Sequence, residues 1–377
     1  MLSSRYLFLL ILGLILLVSS CTRIKDLINP PSPREVYSRE FNENHPQFNE
    51  WQRAYERSLG DSLKILPPYW EIGHFQRNEI NVYSYEIDLE HGEIFHFEMA
   101  ADSVNARIFV DFFRQTDDSL NSYELVKQNG PDDRMVRFEV KDTGIYKILV
   151  QPALDVQTPF RMRAYTQPSY LFPVAGHSNS AIRSFWGDPR DAGRRQHEGV
   201  DIFAPRGTPV VAATNGRIRY TGERGLGGKQ VWLRTELFGG KSLYYAHLDS
   251  VAVSGSGSVD VGDTLGFVGN TGNARTTPPH LHFGIYGRGG AVNPMPFIFE
   301  RELPEIQELA DETGQRQLVV NSAVANLRTA ASLDGLKIGE ATRGDTLHVL
   351  GHAGNWRHIK TEQQMKAYIH ESLVLPL

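Results

Sequence analysis

Between about Ile80 and Ala164, apolar residues recur at every second position, as in Val82-Tyr-Ser-Tyr-Glu-Ile-Asp-Leu89, Glu93-Ile-Phe-His-Phe-Glu-Met99 and Gly144-Ile-Tyr-Lys-Ile-Leu-Val150. Side chains of an extended chain alternate faces, so this period puts one apolar face on each segment. Such faces are buried by stacking sheets, and the segment is expected to form an antiparallel β-sandwich. His91 and His96 fall inside this pattern and read as turn or strand residues without a metal role. Further along, glycine turns such as 222–228, 254–258 and 269–273 separate short β-branched runs, which predicts a second, glycine-rich antiparallel β domain. The chain is therefore expected to be mainly β.

Within the second β region lie His197-Glu-Gly-Val-Asp201, Tyr245-Ala-His247-Leu and His280-Leu-His282. In strands, residues two or four apart share a face, so His280 pairs with His282 and His197 with Asp201. Four imidazoles and one carboxylate would then converge, in a chain with one cysteine. A hydrolytic zinc site uses three protein ligands and leaves a position open for water. Two of the five groups remain for proton transfer and for stabilising developing negative charge. Which three hold the metal is not decided by this spacing. An isolated His-x-His is weak evidence among thirteen histidines, and the reading depends on all five groups meeting in space.

The stretch from about Phe172 to Pro296 resembles the lysostaphin-type (LytM-type) zinc metallopeptidases of bacterial cell walls. The resemblance rests on His197-Glu-Gly-Val-Asp-Ile-Phe-Ala-Pro-Arg-Gly-Thr-Pro-Val210, Tyr244-Tyr-Ala-His247-Leu, Val261-Gly-Asp-Thr-Leu-Gly-Phe-Val-Gly-Asn-Thr-Gly272 and Pro279-His-Leu-His-Phe283, in that order. It implies that His197, Asp201 and His282 bind one Zn2+ per chain and that His247 and His280 are the catalytic imidazoles. The implied activity is hydrolysis of peptide cross-links in peptidoglycan. In that mechanism His280 is the general base toward water and His247 hydrogen-bonds the tetrahedral oxyanion. Pro278-Pro279 replaces a more usual Gly-Pro, and Gly284 stands where an acidic residue is common. Two other functions are weighed against this one: a non-catalytic wall-binding or amidase-activating lipoprotein, and a protein-directed zinc peptidase. Relatives of the non-catalytic kind have typically lost ligands, and here all five groups are present.

Arg5 precedes an apolar run from Tyr6 to Val18 that ends in Leu17-Val-Ser-Ser-Cys21. The run is short for a membrane span of about 20 residues and reads as a signal peptide over 1–20. Small residues before the single cysteine resemble a lipoprotein processing site, which would make Cys21 the lipidated N-terminus. A tether over 21–45 and a short amphipathic helix over 46–65 are expected next, with Phe48, Trp51, Tyr55 and Leu59 as a packing stripe. The sandwich then occupies 70–167, the peptidase-like domain 168–300 and a connector 301–317.

The last stretch, 318–377, resembles the bacterial Src-homology-3-like (SH3-like) barrels through Ala325-Asn-Leu-Arg328, Arg343-Gly-Asp-Thr-Leu-His-Val-Leu-Gly351, Asn355-Trp-Arg-His-Ile359 and Ala367-Tyr-Ile-His370. Ala367-Tyr368 replaces the usual Gly-Trp, and Trp356 is expected to stack on a ligand or to fill the barrel. A net charge of -5 makes no case for nucleic acid. The expected partners are peptidoglycan, a membrane reached through the lipid on Cys21, and an envelope protein regulator. The expected location is the outer membrane facing the periplasm, where the target would be the D-alanyl-diaminopimelate bridge.

Overall fold

The computed structural model describes residues 31–377 except 78, 117–121, 131–132, 236–239 and 306–315. The expected signal peptide, Cys21 and most of the expected connector lie outside the described residues. The remainder is mainly antiparallel β, as the alternation predicts.

The sandwich has one sheet in the order Tyr83–Leu89, Gly144–Pro152, Ile108–Gln115, Tyr123–Gln128, facing a second that contains Tyr69–Phe75, Thr158–Pro168, Glu93–Ala101 and Met135–Glu139. The period-two residues Tyr85, Ile87, Phe95, Phe97, Phe112 and Ile148 fill the space between them and are almost wholly buried. The helix Pro46–Ser58 docks on this core through Phe48 and Trp51, whose indole N–H donates to the Pro152 carbonyl at 2.8 Å. It is shorter than the expected 46–65. The expected tether also ends earlier. Ser32 caps a further helix, Pro33–Ser38, in a reciprocal arrangement with Glu35, and Tyr37 packs edge-on against Trp51. An aromatic that finds a core makes the preceding segment part of the fold rather than a spacer.

The SH3-like barrel is not a separate bead. Its strand Thr346–Ala353 pairs antiparallel with Tyr69–Phe75, so one sheet runs from the sandwich into the barrel. Leu350, Ala353 and Tyr368 belong to the sandwich core, and Trp356 packs against that same core. At the seam the buried Glu71 carboxylate accepts hydrogen bonds from Tyr69 and Tyr85 and from His358 Nδ1 at 2.9 Å, while the Tyr69 and Tyr368 hydroxyls meet at 2.7 Å. Burial, then the charge of Glu71, pushes the Tyr69 and Tyr85 phenols well above their usual pKa, so both stay protonated donors. Removing the carboxylate strands buried donors at about 1–3 kcal/mol each. Glu71→Ala is therefore expected to cost on the order of 3 kcal/mol or more, read as a fall in the urea midpoint; an unchanged midpoint would show the seam contributes no net stability.

The third unit is a sheet in the order Ser258–Val259, Gly216–Arg224, Gly228–Thr235, Ser242–Val251, His280–Gly287, Val200–Phe203, Ile182–Ser184. Its core is Val200, Ile202, Tyr245, Leu281, Phe283 and Ile285, the inward alternates of three central strands. The other alternates of those strands point to the opposite face, where the candidate site lies.

Candidate metal centre

Register places two of the predicted residues. Val200–Phe203 pairs antiparallel with His280–Gly287 so that Asp201 stands directly across from His282, and Phe203 across from His280. Directly opposed side chains share a face, which brings the carboxylate and the imidazole together. His282 Nδ1 lies 3.0 Å from Asp201 Oδ1.

His197 arrives differently from the expectation. The strand begins only at Val200, so His197 precedes it and the four-residue parity does not orient the ring. The ring is held by the preceding segment: its backbone N–H donates to the Asp188 carbonyl at 2.8 Å, and its Nδ1 contacts the Phe185 carbonyl at 2.8 Å. A carbonyl only accepts, so Nδ1 carries the proton and Nε2 keeps its lone pair. That Nε2 sits 3.1 Å from Asp201 Oδ1 and 3.0 Å from His282 Nδ1. Gly199 makes the closure feasible, because a Cβ there would stand 2.7 Å from His282 Cε1 and 2.6 Å from the Phe283 carbonyl oxygen.

The structure thus gathers His197, Asp201 and His282 into a cluster of three ligand atoms. In a tetrahedral zinc site with bonds of about 2.0–2.1 Å, ligand atoms are about 3.3 Å apart, so these separations fit such an ion. Two neutral imidazoles and one carboxylate also suit a borderline-soft divalent metal. Burial works against the Asp201 charge, but the adjacent His197 and His282 imidazoles outweigh it and hold the carboxyl well below the usual carboxylate range.

His247 and His280 flank the cluster, with ring centroids 5.0 Å apart and His247 5.9 Å from His282. His247 follows Ala246, which opposes His282 across the sheet, and its φ of 63° turns the ring toward the cleft. Its Nδ1 meets the Thr271 carbonyl at 2.9 Å, and His280 Nδ1 meets the Pro278 carbonyl at 2.9 Å. Both rings therefore hold their proton on Nδ1 and keep a bare Nε2. Of the Pro278-Pro279 pair, it is the Pro278 carbonyl that anchors His280. A Cβ at Gly284 would approach the Glu198 carbonyl oxygen and the Tyr286 ring to 3.1 Å each, a tight contact that the glycine avoids.

Burial, then the neighbouring His282 and His280, pushes the His247 imidazole down to about 4. Burial lowers His282 as well. A group depressed in the folded state binds protons more readily when unfolded, so it favours folding above its unfolded value and loses that contribution as pH falls through its folded value. The metal-free protein is accordingly expected to melt at steadily lower temperature between pH 6.5 and about 4. A flat melting curve across that window would contradict the burial of these rings.

A cleft of about 540 Å³ opens over the five residues, with Leu226, Gly227 and Asn273 among its walls. Residues of the 222–228 and 269–273 turns take part in these walls. The 254–258 turn does not line this cleft, in keeping with a plain hairpin. A Cβ at Gly227 would overlap Tyr244 Oη, which lets the tyrosine lie along the floor. Sequence reasoning missed Ser184, Arg190 and Phe203, which also line the cleft. Phe203 carried a signal, since it lies two residues after Asp201 and shares its face. It stacks on His280 at 5.0 Å. Arg190 carried none, because a hairpin intervenes between it and His197.

Residues 195–294 match the model of peptidase family M23, and residues 322–374 match that of the bacterial SH3 domain. The L-Ala–D-Glu endopeptidase of Bacillus subtilis is 34% identical over 151 residues, which are 37% of this chain and 46% of that protein. The DD-carboxypeptidase/endopeptidase Mpg of Neisseria meningitidis is 42% identical over 101 residues, 27% of this chain and 22% of that protein. An uncharacterized lipoprotein of Escherichia coli, YgeR, is 35% identical over 104 residues, 27% of this chain and 39% of that protein. The chain thus spans less than half the length of each of these relatives. Among solved structures, the lysostaphin catalytic domain of Staphylococcus simulans is 33% identical, covering 30% of this chain and 89% of that one with a TM-score of 0.28. The chain thus carries a peptidase family M23 domain over residues 195–294, within which His197, Asp201 and His282 gather on one face, and a bacterial SH3 domain over residues 322–374.

Proposed function

We propose that this chain is a zinc-dependent endopeptidase that cuts peptide cross-links of bacterial peptidoglycan. The observation that carries the reading is the set of His197 Nε2, Asp201 Oδ1 and His282 Nδ1 at 3.0–3.1 Å from one another, with two further imidazoles over the same cleft. His197, Asp201 and His282 would hold the metal, and a zinc ion there supplies Lewis acidity toward a carbonyl and toward water.

The chain's own groups handle the protons. His280, anchored through Nδ1 to the Pro278 carbonyl, offers Nε2 to take a proton from water as it attacks the peptide carbonyl. His280 then passes that proton to the leaving amine. His247 is anchored the same way through the Thr271 carbonyl, so its bare Nε2 accepts from the second O–H of the attacking water and orients it, in place of the donation to the oxyanion that the resemblance implies. Burial keeps the ring neutral at rest. Tyr244 and Phe203 shape the cleft around these groups.

Envelope location is part of the same proposal, supported by the similarity to wall endopeptidases and to a lipoprotein. We infer a lipid on Cys21 and an outer-membrane site facing the periplasm, with an envelope protein as regulator and the D-alanyl-diaminopimelate bridge as the bond cut. The sequence around Cys21 supports the lipid. The test is mass spectrometry of purified sacculi digested with protein lacking residues 1–21, with and without chelator. New uncross-linked peptides that vanish with chelator and return with zinc are expected and would identify the bond. Zinc-bound protein that releases nothing from sacculi but cleaves a denatured protein would favour a protein-directed peptidase. Protein that binds no zinc would favour the non-catalytic scaffold.

A further inference from the structure

The two oxygens of Asp201 have different neighbours. Oδ1 faces His197 Nε2 and His282 Nδ1, while Oδ2 accepts from Arg190 Nη2 at 2.9 Å. The same Nη2 donates to Ser184 Oγ, and that hydroxyl donates to Asp188 Oδ2 at 3.0 Å and lies 3.3 Å from His197 Nδ1. Asp188 Oδ2 also accepts from the Phe185 backbone N–H at 2.7 Å, and the Phe185 carbonyl in turn takes the His197 Nδ1 proton. One connected set of hydrogen bonds therefore reaches two of the three clustered residues from behind.

Arg190 is well placed for this. It sits in a two-residue hairpin opposite Arg195, with Pro189 opposite Gln196, so the hairpin leads straight into His197. The turn holds Asp191 and Ala192 at φ of 51° and 59°, a conformation that non-glycine residues keep only where surroundings impose it. The Arg190 side chain is 32% exposed and Asp201 12%, so the pair is shielded yet open to the cleft.

We propose that Arg190 is a positioning residue: by occupying Asp201 Oδ2 and tying it to Ser184, it leaves Oδ1 as the single carboxylate oxygen presented to a divalent metal beside His197 and His282. The proposal rests on the metal-centre reading above and concerns only how Asp201 is presented. Planar guanidinium suits the task because it donates in fixed directions, whereas an ammonium is a point charge. Charge alone makes the opposite prediction. A guanidinium beside the site repels a dication, so a purely electrostatic role would make removal of Arg190 strengthen metal binding.

The experiment is zinc affinity by chelator competition on the chain lacking residues 1–21, comparing the unsubstituted protein with Arg190→Ala, Arg190→Lys and Asp201→Ala, alongside the visible absorption of cobalt(II)-substituted protein. Groups that orient metal ligands typically change affinity by about 10–100-fold when removed. Arg190→Ala is expected to weaken zinc by about that factor, with Arg190→Lys recovering only part of it. The cobalt band should lose intensity as the freed carboxylate chelates through both oxygens and raises the coordination number, a change that mere loss of stability would not produce. Equal or tighter zinc binding in Arg190→Ala overturns the proposal. If Arg190→Ala does not fold, Arg190→Lys decides, and an unchanged affinity and cobalt band in that variant overturn it. Failure of the unsubstituted protein to bind zinc, or unchanged binding in Asp201→Ala, would instead defeat the metal-centre reading itself.

Discussion

His280→Ala is expected to lower turnover on sacculi by about 10²–10⁴ while the protein keeps one zinc per chain. The separation of the two effects follows from geometry. His280 is absent from the cluster formed by His197, Asp201 and His282. Its Nδ1 proton goes to the Pro278 carbonyl, which points its Nε2 lone pair into the cleft as a base. Alanine removes that base and the stacking on Phe203, but none of the three ligand atoms. The checks are the rate of peptide release and the metal content by elemental analysis. Near-normal release would strip His280 of the role, and an empty site would make it a ligand.

Asp201→Ala should have the larger consequence, with zinc lost and peptide release falling to background. Removing the carboxylate takes away the one negative charge among the clustered groups and leaves Arg190 facing two imidazoles. A dication would then have to bind two imidazoles alone, with no carboxylate between it and the Arg190 guanidinium, and like charges that close repel. Asp201→Asn keeps the shape without the charge and should retain only weak binding. Elemental analysis together with release from sacculi reads both variants; zinc retained at full occupancy in Asp201→Ala would remove Asp201 from the ligand set.

The two predictions differ in how far they were legible from residue order. The His280 and His282 pair shares a face in any extended strand, so its convergence needed only the period of the β-chain. The alternation at Tyr83–Leu89 and Glu93–Ala101 likewise appears in the structure as alternating burial. Strand parity does not account for His197 beside Asp201: the strand starts at Val200, and a hairpin with its hydrogen bonds to Asp188 and Phe185 delivers the ring instead. Similarly, Ser32-Pro-Arg-Glu35 carries a helix-start signal in 31–45, but not that the helix packs, because the value of Tyr37 depends on Trp51 and Phe109 being there to receive it.

Local chemistry is what the residue order determined by itself: strand period, glycine turns, a donor set of imidazoles and one carboxylate that suits zinc, and a small final β module. Side-chain type and spacing act over a few residues and need no partner to be read. Only the tertiary structure decided which nitrogen of His197, His247 and His280 is bare, that Arg190 occupies one oxygen of Asp201, and that the barrel shares a sheet and Glu71 with the sandwich. Those outcomes depend on carbonyls, guanidinium and phenols arriving from distant parts of the chain, and a hydrogen bond is set by where its partner stands in space, which spacing along the chain does not encode.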